Sequence, residues 1–160
     1  MTGYHGGNSD IWVFKLSSSG VLGWQKCLGG TKTETFVQTG QALSIRSGVI
    51  QMDEDGGCFL QGYSTSLDGD VTGYHGTVAS TVQDSWVVKL GSAGELKWQR
   101  CFGGTALEQN GAMLQLNADN YLLGFSTASA DGDITGNSGG QDAWLAMGSQ
   151  LYQRLSVRRC

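Results

Sequence analysis

Proline is missing from all 160 residues. The turns must therefore be made another way, and 26 glycines, more than twice an average share of roughly 7%, supply positions that adopt positive φ freely. No apolar run is long enough for a transmembrane helix. The opening MTGYHGGNSD has no apolar core and is no signal peptide, so a secreted parent would carry its signal outside this chain. Neither sign of charge dominates: ten basic and fourteen acidic residues are interspersed, which excludes a broad basic face for nucleic acid. The four cysteines include no C-x-x-C pair and the two histidines stand apart, so no metal-site spacing is present. No G-x-S-x-G elbow, no G-x-G-x-x-G after a strand and no phosphate-binding loop occurs. A chain of this length can still bury a core of its own.

What is present is a repeat. Asp10–Thr31 reads DIWVFKLSSSGVLGWQKCLGGT and Asp84–Thr105 reads DSWVVKLGSAGELKWQRCFGGT. Trp12 and Trp86, Trp24 and Trp98, and Cys27 and Cys101 are each 74 residues apart. A third copy opens at Asp142 with DAWLAM and then departs from the pattern. Cys27 and Cys101, sharing one repeat position, are expected to be buried free thiols.

Alternation predicts strands over 11–16, 21–28, 48–52 and 58–64 in the first copy, and 86–90, 95–102, 112–116 and 121–126 in the second. Trp12, Phe14 and Leu16 share one strand face; Ile11, Val13 and Lys15 share the other. A strand apolar on nearly both faces suits a sheet sandwiched between neighbours. Ser19-Gly20 and Ala93-Gly94 read as hairpin turns, as do Asp55-Gly56-Gly57 and Ala118-Asp119-Asn120. Phe36–Arg46 and Thr77–Gln83 are insertions, each carried by one copy only. The expected organisation is an all-β chain of four-stranded antiparallel blades: an inter-blade loop over 1–10, blade 1 over 11–73, a loop over 74–84, blade 2 over 85–136, the start of a third blade over 137–147, and an off-pattern tail over 148–160. The tail reads as a reading-frame slip near Met147 or, as the alternative, a C-terminal cap. Such blades cannot bury both faces alone, and stacking them as in a propeller or solenoid solves the problem.

The set D-x-W-(V/L)-x-K-L, G-x-L-x-W-Q-(K/R)-C-x-G-G-T and D-G-D-(V/I)-T-G resembles a long tryptophan- and glycine-rich repeat of secreted Bacteroidota proteins, over about residues 2–146. The resemblance implies β-propeller-like arrays of four-stranded blades, export by type IX secretion, and a secreted or cell-surface location. It further implies that this chain is a piece of a larger array, with neighbouring repeats as partners. The function it implies is surface display, adhesion or carbohydrate contact.

Several residues carry candidate chemistry. The loops Asp68-Gly69-Asp70 and Asp131-Gly132-Asp133, each followed by Thr72 or Thr135, supply hard oxygens suited to Ca²⁺. They lack the remaining ligands of a twelve-residue calcium loop, and a self-bonded turn is the leading reading. Thr31-x-x-Glu34 and Thr105-x-x-Glu108 have capping-box spacing, which favours a structural over a catalytic glutamate. His5 and His75 have Ser138 as their third equivalent, so they read as shared polar loop residues. Tryptophans 12, 24, 86, 98 and 144 read as core between sheets, with sugar stacking the alternative. The function expected is a non-catalytic binding or adhesion scaffold contacting surface glycans or proteins, with no cofactor beyond the calcium alternative and no membrane span. The competing expectation is a propeller-type enzyme domain acting on polysaccharides.

Overall fold

A computed structural model describes residues 3–36, 49–52, 54–117, 120–149 and 156–158. The chain is all-β: the described residues contain no helix, and therefore none long and apolar enough to cross a membrane. Eleven strands follow in order: β1 Ile11–Leu16, β2 Leu22–Leu28, β3 Glu34–Thr35, β4 Val49–Met52, β5 Cys58–Ser64, β6 Asp84–Leu90, β7 Leu96–Phe102, β8 Glu108–Gln115, β9 Asn120–Thr127, β10 Asp142–Ser149 and β11 Ser156–Arg158. All pair antiparallel, in three sheets.

The strands form where alternation places them, and glycine closes the hairpins as expected. Gly20 and Gly94 take φ of 80° and 83°, and their amides bond back to Ser17 O and Gly91 O. Asp55 Oδ1 accepts the Gly57 amide at 2.7 Å, a side chain folding the turn onto its own backbone. Of the 118–120 turn only Asn120 is described. The insertion expected over 36–46 lies, apart from Phe36, outside the described residues.

The pairing corrects the expected blade boundaries. The first sheet is β1–β2 alone. The second joins β5 to β6 and β6 to β7, with β3 and β4 sharing the outer edge of β5. The third runs β8–β9–β10–β11. The second sheet therefore unites strands expected in blade 1 with strands expected in blade 2. Likewise β10, expected to open a third blade, completes the sheet of β8 and β9. The physical reason lies in the two connection types. After β2 and β7 the Gly29-Gly30 and Gly103-Gly104 pairs carry the chain across to the next layer. After β5 and β9 the long loop returns it alongside the strand just left. The tail adds one further correction: β10 continues through Ser149, and β11 pairs with Leu145–Met147.

The sheets stack in three layers, each with two unlike faces. One face carries the first tryptophan of each copy, the other carries the residues between. The tryptophan face of the second sheet, with Trp86, Val88, Leu90 and Leu60, packs on Ile11, Val13 and Leu28 of the first. Its opposite face, with Phe59, Val87 and Phe102, packs on Trp144, Ala146, Leu123 and Phe125 of the third. Each large side chain so buried contributes about 1.5–3 kcal/mol. Every residue of β6 is buried, as the sandwiched reading of this strand requires.

The equivalence of Trp12 and Trp86 holds for backbone and fails for burial. Trp12 pairs with Cys27 and Trp86 with Cys101, and each indole N–H donates to a glutamine, Gln25 or Gln99. Yet Trp12 is 48% exposed and Trp86 is 0% exposed. The cause is position in the stack: a sheet covers Trp86, and none of the described residues covers the tryptophan face of β1–β2.

Candidate functional site

The polar chemistry gathers at one end of each junction between sheets, and it is built twice. The Asp-Gly-Asp loops make the frame. Gly69 and Gly132 adopt φ of 67° and 66°, and a Cβ on either would lie 2.3 or 2.4 Å from the carbonyl oxygen of Gly29 or Gly103. Only glycine lets the loop lie this flat against the crossing strand. The next amides, of Asp70 and Asp133, then donate to those carbonyls at 2.8 and 2.9 Å.

The two carboxylates of each loop serve different partners. Asp68 accepts from the Thr31 amide and hydroxyl, both at 2.7 Å, and Asp131 accepts identically from Thr105. These bonds stabilise the ionised form and hold both aspartates below the ordinary carboxylate range. Asp70 and Asp133 turn instead towards the histidines. His5 Nε2 stands 3.7 Å from Asp70 Oδ2, and His75 Nε2 stands 3.6 Å from Asp133 Oδ2. Among the described residues no group of three or more His, Cys, Asp or Glu is arranged to hold a metal ion. A calorimetric titration to roughly millimolar Ca²⁺, the range of extracellular calcium modules, is expected to give no heat and no shift in Tm. A saturable shift in Tm would return Asp68, Asp70, Asp131 and Asp133 to the calcium reading.

Behind each histidine lies an aspartate that sequence reasoning passed over. His75 Nδ1 is 2.7 Å from Asp84 Oδ2, and the His75 amide donates to the same oxygen at 3.0 Å. His5 and Asp10 repeat this at 3.1 and 2.8 Å. Asp10 and Asp84 sit just before or at the first residue of β1 and β6, in the D-x-W pattern that recurs at Asp142. Three carboxylates in one strand-start position were the available signal. At Asp142 the imidazole is replaced by Ser138, whose amide donates to Oδ2 at 2.9 Å.

Each aspartate faces a glutamate from the next sheet. Glu34 does not cap a helix: it lies in β3, accepts the Gly30 amide at 2.8 Å and the Ser64 hydroxyl at 2.7 Å, and is buried. Glu108 accepts the hydroxyls of Thr127 and Ser129, both at 2.7 Å. A Cβ on Gly103 would lie 2.3 Å from Glu108 Oε2 and 3.0 Å from Asp84 Oδ1; on Gly29 it would lie 2.5 Å from Glu34 Oε2 and 2.8 Å from Asp10 Oδ1. The two acids thus close over a glycine. Asp84 Oδ1 and Glu108 Oε2 are buried with no hydrogen-bond partner among the described residues. Burial pushes Glu108 up to about 7, against the pull of its two hydroxyl donors, and burial also raises Asp84. Asp84 and Glu108 are both fully buried where the second and third sheets meet. Arg100 Nη2 completes the second cluster at 2.8 Å from Asp133 Oδ1.

The cysteines are free thiols: Cys27, Cys58 and Cys101 are buried and unbridged. Burial, then the Asp10 carboxylate that accepts from its thiol, pushes Cys27 up to about 11. Cys160 lies outside the described residues. Trp86 and Trp144 are interior, Trp24 and Trp98 are partly buried between sheets, and Trp12 alone of the five is exposed.

One groove opens beside the first junction, with a volume of about 470 Å³. Asn8, Thr31, Lys32, Thr33, Ser80 and Gln83 line it, together with the exposed Val78. Half of its wall is the insertion Thr77–Gln83, which Lys32 pins by donating to Thr77 O at 3.4 Å and Ser80 O at 3.2 Å. A scan against protein-family models and a search of curated proteins found no match to the chain.

Proposed function

We propose that the chain is a non-catalytic repeat module, propeller-like in its stacked blades, that acts as a binding or adhesion scaffold outside the cell or at its surface. The repeat motifs and their resemblance to type IX secreted Bacteroidota proteins support the location. The observation that carries the binding role is the groove. Its wall comes from an insertion that only one copy carries, whereas the buried acid and histidine clusters are duplicated and tie sheets together. Hydroxyls, side-chain amides and one ammonium line it, groups that pair well with the hydroxyls of a surface glycan. Among the described lining residues there is no carboxylate to act as general acid or nucleophile.

The test is a glycan array probed with the purified chain, followed by a hydrolysis assay on every glycan retained. Retention is expected, weakened about 10-fold by Lys32→Ala, which removes both the ammonium in the groove and its hold on the Thr77 and Ser80 carbonyls of the wall, a loss of about 1.4 kcal/mol in all. Turnover of any retained glycan would establish the polysaccharide-degrading alternative. Retention of none, with the groove intact, would defeat the glycan reading.

A further inference from the structure

The two faces of each sheet are unlike, and within the chain they meet in one sense only. Twice a tryptophan face lies against an opposite face: Trp86, Val88 and Leu90 on Ile11 and Val13, then Trp144 and Ala146 on Val87 and Phe102. Two tryptophan faces never meet. Among the described residues this leaves one face of each kind uncovered. At one end Trp12, Phe14, Leu16 and Leu22 of β1–β2 are exposed, with the Trp12 and Phe14 rings 4.9 Å apart. At the other end Leu114, Leu145 and Met147 of the third sheet are exposed. These are the register positions that elsewhere in the chain form the two halves of a buried junction. Apolar surface gathered in this way marks an association site.

We infer that the chain associates head to tail with a second copy of itself, the Trp12 face of one seated on the Met147 face of the next. The occupant follows from the internal junctions, which show what each face accepts. Because the two faces differ, the contact is heterologous: each added copy leaves one of each exposed, and the assembly grows to a ring or an open chain. The inference does not depend on any ligand in the groove.

The test uses the whole chain, with molar mass followed by light scattering across a dilution series. The wild type is expected to be larger than a monomer, increasingly so with concentration. Trp12→Lys and Leu145→Lys each place an ammonium in the contact, at positions whose counterparts within the chain, Trp86 and Val87, are fully buried. Each is expected to weaken association about 100-fold or more, the effect of roughly 3 kcal/mol for a charge left unpaired at an interface. Both positions are exposed in the single chain, so thermal melts of the two variants at high dilution should match the wild type. The decisive arm is mixing. Trp12→Lys retains a sound Met147 face and Leu145→Lys a sound Trp12 face, so the equimolar mixture should form a one-to-one dimer that grows no further. A wild type monomeric at every concentration overturns the inference. So does a single variant that still associates alone, or a mixture that stays monomeric, either of which would indicate a symmetric contact or none.

Discussion

Trp86→Ala is expected to destabilise the chain by about 3–5 kcal/mol, the range for emptying a buried aromatic site, while Trp12→Ala costs less than about 1 kcal/mol. The two residues occupy the same place in the repeat, pair with equivalent cysteines and donate to equivalent glutamines. A purely local account would give them equal weight. They differ in what lies above them, since Trp86 is sealed between the first and second sheets and Trp12 faces outward. Removing the Trp86 indole leaves a void in the cluster that also holds Val88, Leu60, Ile11 and Val13, residues drawn from two sheets. Trp86→Phe, which keeps a ring but leaves Gln99 without its indole donor, should fall between the two. The measurement is urea denaturation at dilution, where each chain stands alone. Equal losses for Trp12→Ala and Trp86→Ala would show that the stacking of sheets is not what buries Trp86.

A rise in pH from 5 to 8 is expected to lower the Tm of the wild type, with Glu108 as the main cause. The folded-state value for this carboxyl is about 7 and its ordinary value is 4.5. Between those values the folded state holds more protons than the unfolded one, so stability falls as pH rises through the window. The stabilising contribution is complete below about 4.5 and gone above about 7. At about 1.4 kcal/mol per unit, and discounted for solvent screening, the loss is on the order of 2 kcal/mol, or about 5 °C for a chain of this size. Asp84, raised by the same burial, acts with the same sign at lower pH. Asp68 and Asp131, held low by their threonine donors, act with the opposite sign but only in acid below this window. Glu108→Gln isolates the effect. Its carbonyl oxygen can still accept from Thr127 and Ser129, and its amide can donate to the unpartnered Asp84 Oδ1. The variant should lose most of the slope and exceed the wild type in Tm at pH 8. The substitution removes one titratable carboxyl and no other, so the difference between the two curves belongs to Glu108. Parallel curves would remove the protonated Glu108 from the account.

The strands were legible because period-two alternation and a repeat of 74 residues report the same thing twice. The hairpin turns were legible because Gly20, Gly56 and Gly94 stand where a positive φ is needed. Which strands share a sheet was not legible. A strand such as Cys58–Ser64 is apolar enough to pair with either neighbour in sequence, and only the path of the loops decides. The candidate site was half legible. The Asp-Gly-Asp loops stood out as carboxylate pairs, but a sequence cannot show that Asp68 turns to Thr31 while Asp70 turns to His5. Glu34 and Glu108 were read by spacing as caps because the hydroxyls they accept from, of Ser64 for one and of Thr127 and Ser129 for the other, lie 30, 19 and 21 residues further along the chain. The exposure of Trp12 follows from its place at the end of a stack, which no local pattern encodes.

The second sheet takes strands from both sides of the boundary between one copy of the repeat and the next. A gene cut at any two equivalent points of the period would therefore still encode strands in the same order and sheets of the same kind. Whole periods could be gained or lost in the DNA without respect for where a sheet begins. The arrangement gives such a gene an unusual freedom to change length in single steps.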